Sequence, residues 1–398
     1  MIYTLASSVL AVLTFICLIP VVIFAVECIS GSWSRGKRPA TELQIRPPVA
    51  VLIPAHNEAL GIAATLNSIR SQIRRGDRIV VVADNCDDET AEIARCEGAE
   101  VVERRDALKR GKGYALAAGI DYLRQAPPAI VVFVDADCQI AQGTLDALAA
   151  NVLTFARPAQ ALNLQIAPPQ AGFGLAIAEF AFRIKNHVRP LGLARLGLPC
   201  LMTGTGMALP WPLLERVDLA TGHQVEDMKF GLDLACSGHA PRFCEEAMVT
   251  SFFPHSAEAT ETQRERWEGG HLAMMGYALR AFASPGVLRD IRYLCLLLDV
   301  LVPPLTLLGT AVVSMVFVSV VGALLGIGML PLAIASATFL LFLFAVAASW
   351  VAFGTTVLPP ASLLQVPRYV MSKVAKYPKM LLSGSDAGWV RTDRSGPR

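Results

Sequence analysis

The strongest constraint on this chain is where charge is missing. From Tyr3 to Val26 there is no Asp, Glu, Lys, Arg or His, and from Val300 to Pro367 there is again none. About 20 apolar residues cross a bilayer as a helix, so the first stretch reads as one span. The second is long enough for two, and Pro303-Pro304, then Gly326, Gly328 and Pro331, then Pro359-Pro360 punctuate it. The expected spans lie near residues 305–325 and 332–354.

Lysine and arginine gather beside these spans, and cytoplasmic flanks carry that excess. Arg35, Lys37, Arg38 and Arg46 follow the first; Arg280, Arg289 and Arg292 precede the second; Arg368, Lys373, Lys376 and Lys379 follow the third. The turn around Gly326 to Pro331 has none. One topology satisfies all of this: N-terminus outside, with the middle region and the tail in the cytosol at the inner (plasma) membrane. No basic residue precedes the first apolar run and no small-x-small site ends it, so a retained span is favoured over a secretory leader. The expected organisation is an N-terminal transmembrane helix over 1–30, a cytosolic domain over 40–290 with interface helices, two transmembrane helices over 291–360 and a basic cytosolic tail over 361–398.

Of the residues, 54% are hydrophobic and only 17% charged, apolar-rich for a soluble domain. A formal charge of +2 argues against a nucleic-acid partner, because the basic residues sit at membrane flanks where anionic lipid holds them. Cys86, Cys96, Cys138, Cys200, Cys236 and Cys244 are scattered singly with no CxxC pair, which excludes a disulfide framework or a zinc site.

Between Pro47 and Phe253 short apolar runs alternate with helical stretches. Val49–Ile53, Ile79–Ala83, Ala99–Val102 and Ile130–Val134 are rich in Val and Ile, as buried parallel strands are. Helices over Asn57–Ser71, Glu89–Cys96 and Gly113–Leu123 supply the crossovers, so the first half reads as a Rossmann-like doubly wound α/β sheet inserted between the apolar helices. In such sheets ligands bind beyond the carboxyl ends of the strands. Those ends carry His56-Asn57-Glu58, Asp84-Asn85-Cys86-Asp87-Asp88 and Asp135-Ala136-Asp137.

Asp135 and Asp137 are the sharpest signal. On an extended segment carboxylates at i and i+2 share a side. One can hold a ribose or sugar hydroxyl while the other binds Mg2+ or Mn2+, hard ions that bridge to a diphosphate. Thr203-Gly204-Thr205-Gly206-Met207 is a small-residue segment that permits close backbone approach, as a sugar pocket needs, and it also reads as a plain turn. In Gln263-Arg264-Glu265-Arg266-Trp267 an arginine can pair bidentately with phosphate and an indole can stack on a sugar ring. Phe180, Ile184, Val188 and Leu191 recur at helical spacing, suiting a helix at the membrane interface or one packed on the sheet. His187, His223, His255 and His271 have no trustworthy ligand spacing, although His255 could approach the metal.

These pieces together resemble the inverting family 2 glycosyltransferases, in the membrane-bound branch related to cellulose, chitin and hyaluronan synthases. The matching segments are Val51-Leu52-Ile53-Pro54-Ala55-His56-Asn57-Glu58, Asp84, Arg110-Gly111-Lys112-Gly113, Asp135-x-Asp137, Glu226-Asp227 and Gln263 to Trp267, in family order. The resemblance implies a GT-A type fold. It implies that Ala55, Glu58 and Asp84 contact the nucleoside of a donor, UDP by resemblance, with Lys112 near that pocket. Asp135 and Arg266 would then meet the donor and its diphosphate, and Asp137 the metal. Asp227 would be the general base with Glu226 beside it, and Gly204, Thr205, Gln263 and Trp267 would face the acceptor. The implied reaction moves a sugar from a nucleotide-diphosphate sugar to a lipid-linked or carbohydrate acceptor at the bilayer. A processive synthase that secretes its polymer, and a silent nucleotide-sugar-binding scaffold, are the alternatives. Three spans offer little wall for a polymer channel, and the intact acidic and basic set argues against a silent relative.

Overall fold

In the computed structural model the described residues are 2–33, 46–168, 171–215, 219, 225–254, 257–283, 287 and 290–369. The flanking Arg35, Lys37 and Arg38, the segment Gly222 to Gln224, His255 and the tail from residue 370 lie outside them.

The first half follows the expected alternation. After α1 (Ile2–Ser32) come β1 (Val49–Ala55), α2 (Ile62–Arg70), β2 (Arg78–Asp84), α3 (Thr90–Cys96), β3 (Glu100–Arg104), α4 (Lys112–Leu123) and β4 (Ile130–Phe133). Then β5 (Gln139–Ile140), α5 (Thr144–Phe155), β6 (Ala159–Ile166), α6 (Phe173–Arg183), a π-helical turn (Ile184–Val188) and α7 (Arg189–Arg195) follow. The chain continues through β7 (Met207–Pro210), α8 (Trp211–Leu214), α9 (Glu226–Cys236), β8 (Arg242–Phe252), α10 (Ala257–Ala281), α11 (Ile291–Val300), α12 (Leu305–Leu324) and α13 (Leu330–Phe353).

The strands form one sheet in the order β3-β2-β1-β4-β7-β6-β8-β5. β3, β2, β1 and β4 are parallel, with register pairs such as Ile53↔Val81 and Leu52↔Phe133, so this half is the doubly wound sheet. β7 then runs antiparallel to β4 and makes the sheet mixed. Period-2 alternation splits the strand residues between two cores. Val49, Val51 and Ile53 pack with Leu66 and Ile69 of α2 and Leu145 and Leu148 of α5. Ala50, Leu52, Val80 and Val82 pack with Leu116, Ile120 and Leu123 of α4 and Phe230 and Leu234 of α9. Each fully buried aliphatic side chain contributes about 1.5–3 kcal/mol. The helix expected from Asn57 starts only at Ile62, because Asn57 takes a left-handed φ of 55° and holds the chain in a turn first.

The chain divides into two compact units: residues 36–166 with 198–270, which hold the sheet, and residues 1–35, 167–197 and 271–388. In the second unit, α1, α12 and α13 are long and apolar enough to cross a membrane. The amphipathic segment over Phe180, Ile184 and Val188 packs here, against Val21, Phe24 and Cys28 of α1 and residues of α12 and α13. Its backbone touches that of α1, since a Cβ on Gly31 would lie 2.0 Å from the Val188 carbonyl and one on Gly192 1.9 Å from that of Glu27. Arg189 lies buried between two acids. Its Nε donates to Glu27 at 2.6 Å, and its Nη2 donates to the Asp299 carbonyl at 3.0 Å and to the Asp299 carboxylate. His271 is buried and donates from Nε2 to the Val302 carbonyl at 2.9 Å; burial, with Lys185 and Arg189 nearby, holds it down at about 3, so it is neutral.

Candidate active site

β1, β2 and β4 are parallel neighbours, so their carboxyl ends share one edge of the sheet and bring Ala55, Asp84 and Asp135 to it. Glu58 follows β1 in a turn tied to the loop after β2. Its N–H donates to Thr90 Oγ1 at 2.8 Å, and the N–H of Asp87 donates to Asn57 Oδ1 at 2.7 Å. Ala55 is buried and accepts from the Cys86 thiol. Asp84 is nearly buried and directly opposite Arg104 in the β2–β3 register; Arg104 Nη1 donates to its Oδ1 at 2.6 Å. Asn85 Nδ2 donates to the same oxygen at 3.0 Å.

Asp135 to Cys138 form a β-turn rather than the extended segment expected, closed by the Cys138 N–H donating to the Asp135 carbonyl at 3.0 Å. The turn is braced from outside. The Asp135 N–H donates to Thr205 Oγ1 at 3.1 Å, and Thr65 Oγ1 donates to the Ala136 carbonyl at 2.8 Å. Ligand atoms of Asp135, Asp137 and Cys138 all fall within 4.8 Å of one another, so the convergence inferred from i, i+2 spacing is reached through a turn instead. Thr205 itself is buried under this loop, with its hydroxyl occupied by Asp135.

Lys112 begins α4 and reaches across the site. Its Nζ stands 2.5 Å from Asp135 Oδ1 and donates to the Gly204 carbonyl at 2.8 Å. The structure sets it against Asp135 and facing the acids of α9. Burial opposes its charge, but Asp135, Glu226 and Asp227 together hold the ammonium far above its ordinary range. Gly204 is left-handed at φ 85°, and a Cβ there would come within 3.1 Å of Asp227 Oδ2 and 3.3 Å of Lys112 Nζ, so glycine lets the loop lie flat between them.

Glu226 and Asp227 occupy the first turn of α9, where helix-end N–H groups favour carboxylates. Asp227 Oδ1 accepts from the Met228 N–H at 2.8 Å. Burial and the Asp227 charge push Glu226 up to about 7, with Lys112 pulling the other way. A carboxyl raised toward neutrality beside a second acid suits proton transfer.

On α10, Gln263, Arg266, Trp267 and Gly270 follow i, i+3, i+4, i+7 spacing and share a face. Gly270 is the contact point, since a Cβ there would strike Val225, the residue before Glu226, at 2.5 Å. Gln263 is buried and accepts from Gln165 Nε2 at 3.3 Å. Burial lowers Arg266, while the Glu226 and Asp135 carboxylates support its charge. Trp267 is half-buried. An open cleft lined by Lys112, Phe133, Gly204, Glu226, Asp227 and Phe230 adjoins these groups.

Sequence reasoning missed Arg104 and Gln160. Gln160 accepts from the Thr203 N–H at 2.9 Å and donates to the Thr205 carbonyl at 2.9 Å, fixing the Gly204 loop from both sides. The signal for Arg104 was a charged residue ending a strand beside Asp84; for Gln160, a polar residue inside an apolar strand.

The family model described as "Glycosyltransferase like family 2" matches residues 47–270, more than half of the 398-residue chain. An uncharacterised protein of Methanocaldococcus jannaschii is 40% identical over 91 residues, 23% of this chain and 36% of that protein. A 4,4'-diaponeurosporenoate glycosyltransferase of Staphylococcus haemolyticus is 34% identical over 113 residues, 27% of this chain and 28% of that one. The chain thus spans about a third of the length of the curated relatives it matches. Among solved structures, the mannosyltransferase PcManGT from Pyrobaculum calidifontis, in complex with GDP-Man and Mn2+, is similar at a TM-score of 0.54 and 17% identity, covering 95% of this chain and 96% of that one. That likeness shows the GT-A type fold.

Proposed function

Because the chain belongs to glycosyltransferase family 2, we propose that it moves one sugar from a nucleotide-diphosphate sugar, UDP-linked, to the hydroxyl of a membrane-associated, lipid-linked acceptor, with inversion at the anomeric carbon. The observation that carries this reading is the gathering of Lys112, Asp135, Glu226 and Asp227 from separate segments around the Gly204 loop. Ala55, Glu58 and Asp84 line the edge where a nucleoside would lie, and Asp135 holds a ribose or sugar hydroxyl. Asp227 takes the proton of the attacking hydroxyl; Glu226, raised toward neutrality, keeps a proton that holds the acceptor by hydrogen bonding. Arg266 pairs with the diphosphate, while Gly204, Gln263 and Trp267 shape the acceptor side and Thr205 braces the Asp135 turn.

The oxygen donors of Asp135 and Asp137 fit a hard divalent ion, and burial pushes the Cys138 thiol up to about 12, so it stays protonated and leaves coordination to oxygen. Asp135 also pairs with Lys112, and Asp137 is taken as the principal ligand of Mg2+ or Mn2+. When bound, the ion would neutralise charge on the leaving diphosphate.

The apolar helices α1, α12 and α13 are assigned as spans of the inner (plasma) membrane, with the sheet-bearing unit cytosolic. Purified protein in lipid nanodiscs, given a panel of nucleotide sugars, Mn2+ and membrane lipid extract, should release a nucleoside diphosphate from one donor in proportion to glycosylated lipid formed. Release from no donor would overturn the reading; a long polymer as product would replace single transfer with a processive synthase.

A further inference from the structure

Asp84 offers fewer acceptor positions than a carboxylate ordinarily does. Its Oδ1 takes two donors, Arg104 Nη1 at 2.6 Å and Asn85 Nδ2 at 3.0 Å, which fill both lone pairs of that oxygen. Both donors are themselves fixed. Asn85 Oδ1 accepts from the Asp106 N–H at 2.8 Å, so its amide orientation is set, and the Asn85 N–H donates to the Arg104 carbonyl at 2.7 Å. Arg104 Nη2 donates to Asp106 at 3.2 Å, and its guanidinium lies 5.6 Å from the centre of the Tyr114 ring. What remains is one acceptor, Oδ2, flanked by groups that carry N–H donors.

Base edges differ in the pattern that would satisfy this. Uracil and thymine present one ring N–H between two carbonyl oxygens. Guanine presents two adjacent N–H donors, which need both oxygens of a carboxylate. Adenine and cytosine place a ring-nitrogen lone pair where the carboxylate is. We propose that Arg104 is a specificity-determining residue: by occupying Oδ1 of Asp84 with Asn85, it leaves a single acceptor and so selects a uracil-type edge over guanine. This rests on the nucleotide-sugar reading above and on Asp84 lying where the base binds.

Calorimetric titration of UDP, dTDP and GDP into the full-length protein in nanodiscs tests it. UDP should bind at least about tenfold more tightly than GDP, since guanine leaves a buried donor unpaired. In Arg104→Met, which frees Oδ1, the UDP-to-GDP ratio should fall severalfold; in Arg104→Lys, which restores one donor, it should recover in part. A melting curve for each variant separates misfolding from altered choice. Equal or tighter binding of GDP to the unaltered protein overturns the proposal, as does an unchanged ratio in a folded Arg104→Met. dTDP carries the same edge on deoxyribose: binding above GDP supports edge selection, whereas binding no better than GDP moves the choice to the ribose and overturns it. Binding of none of the three overturns the nucleotide-sugar reading itself.

Discussion

Each compact unit holds a cation among acids, Arg189 in one and Lys112 in the other, and these two clusters are built differently. Around Arg189, the side chains of Arg189, Glu27 and Asp299 are at most 7% exposed, and the planar guanidinium donates to both acids at once. Around Lys112, the Lys112 and Asp135 side chains remain 25% and 32% exposed, and the ammonium donates to Asp135 and a loop carbonyl while the charges of Glu226 and Asp227 act on it. A sealed cluster with its donors directed at its acids fixes helices in register and has no room for a ligand. An open cluster with more acids than cation is held in readiness for a positive or hydrogen-bonding visitor. Burial of charge therefore marks a joint in one place and a site in the other.

The largest effect should come from breaking the joint. Arg189→Met leaves two acids buried without their cation, and removing one member of such a cluster costs about 3–5 kcal/mol. Thermal unfolding in nanodiscs should show a large drop in Tm. Little change would make the cluster as loose as a surface ion pair and erase the contrast. At the site, Asp227→Asn should leave Tm and UDP affinity near those of the unaltered protein while turnover, followed by nucleoside diphosphate release, falls by at least about 10²-fold. Retained turnover would move the base to Glu226 and make Asp227 a helix-capping acid.

A smaller effect sharpens the comparison through pH. Glu226 is raised from an ordinary 4.5 to about 7 by burial and by Asp227. A carboxyl whose folded-state value is raised contributes stability that is fully present below about 4.5 and lost as pH rises through about 7. The ligand-free protein should therefore lose Tm between pH 5 and pH 7 more steeply than Glu226→Gln does. Parallel curves would show that Glu226 titrates as an exposed acid.

The sequence revealed the sheet better than the site. Parallel strands buried on both faces need unbroken Val and Ile, so β1, β2 and β4 were legible from composition alone. The amphipathic period over Phe180, Ile184 and Val188 marked an apolar face but not its cover, which is α1, α12 and α13; it also contains a π-turn that no 3.6-residue period announces. The acids were legible because carboxylates at strand ends and a helix start are conspicuous. Lys112 meeting Asp135, and Arg104 meeting Asp84, depend on helix length and strand register, which appear only when the chain is folded.

The smallest expected effect concerns the loop that separates Lys112 from Asp227. Gly204→Ala forces a left-handed residue to carry a Cβ, at a cost of roughly 1–2 kcal/mol. That Cβ would press on Asp227 Oδ2 at 3.1 Å and Lys112 Nζ at 3.3 Å, tighter than ordinary contact. Both are side-chain ends and can retreat by a few tenths of an ångström, so folding should survive with a modest loss of Tm. A misplacement of 1 Å in a reacting group costs about 10²-fold, so a shift of that smaller size should lower turnover only severalfold. UDP affinity should hold, because Asp84 and Arg104 lie on β2 and β3, apart from this loop. A folded Gly204→Ala with full turnover would mean that the spacing between Lys112 and Asp227 is not set here, and that the open cluster tolerates displacement as an ordinary solvated surface does.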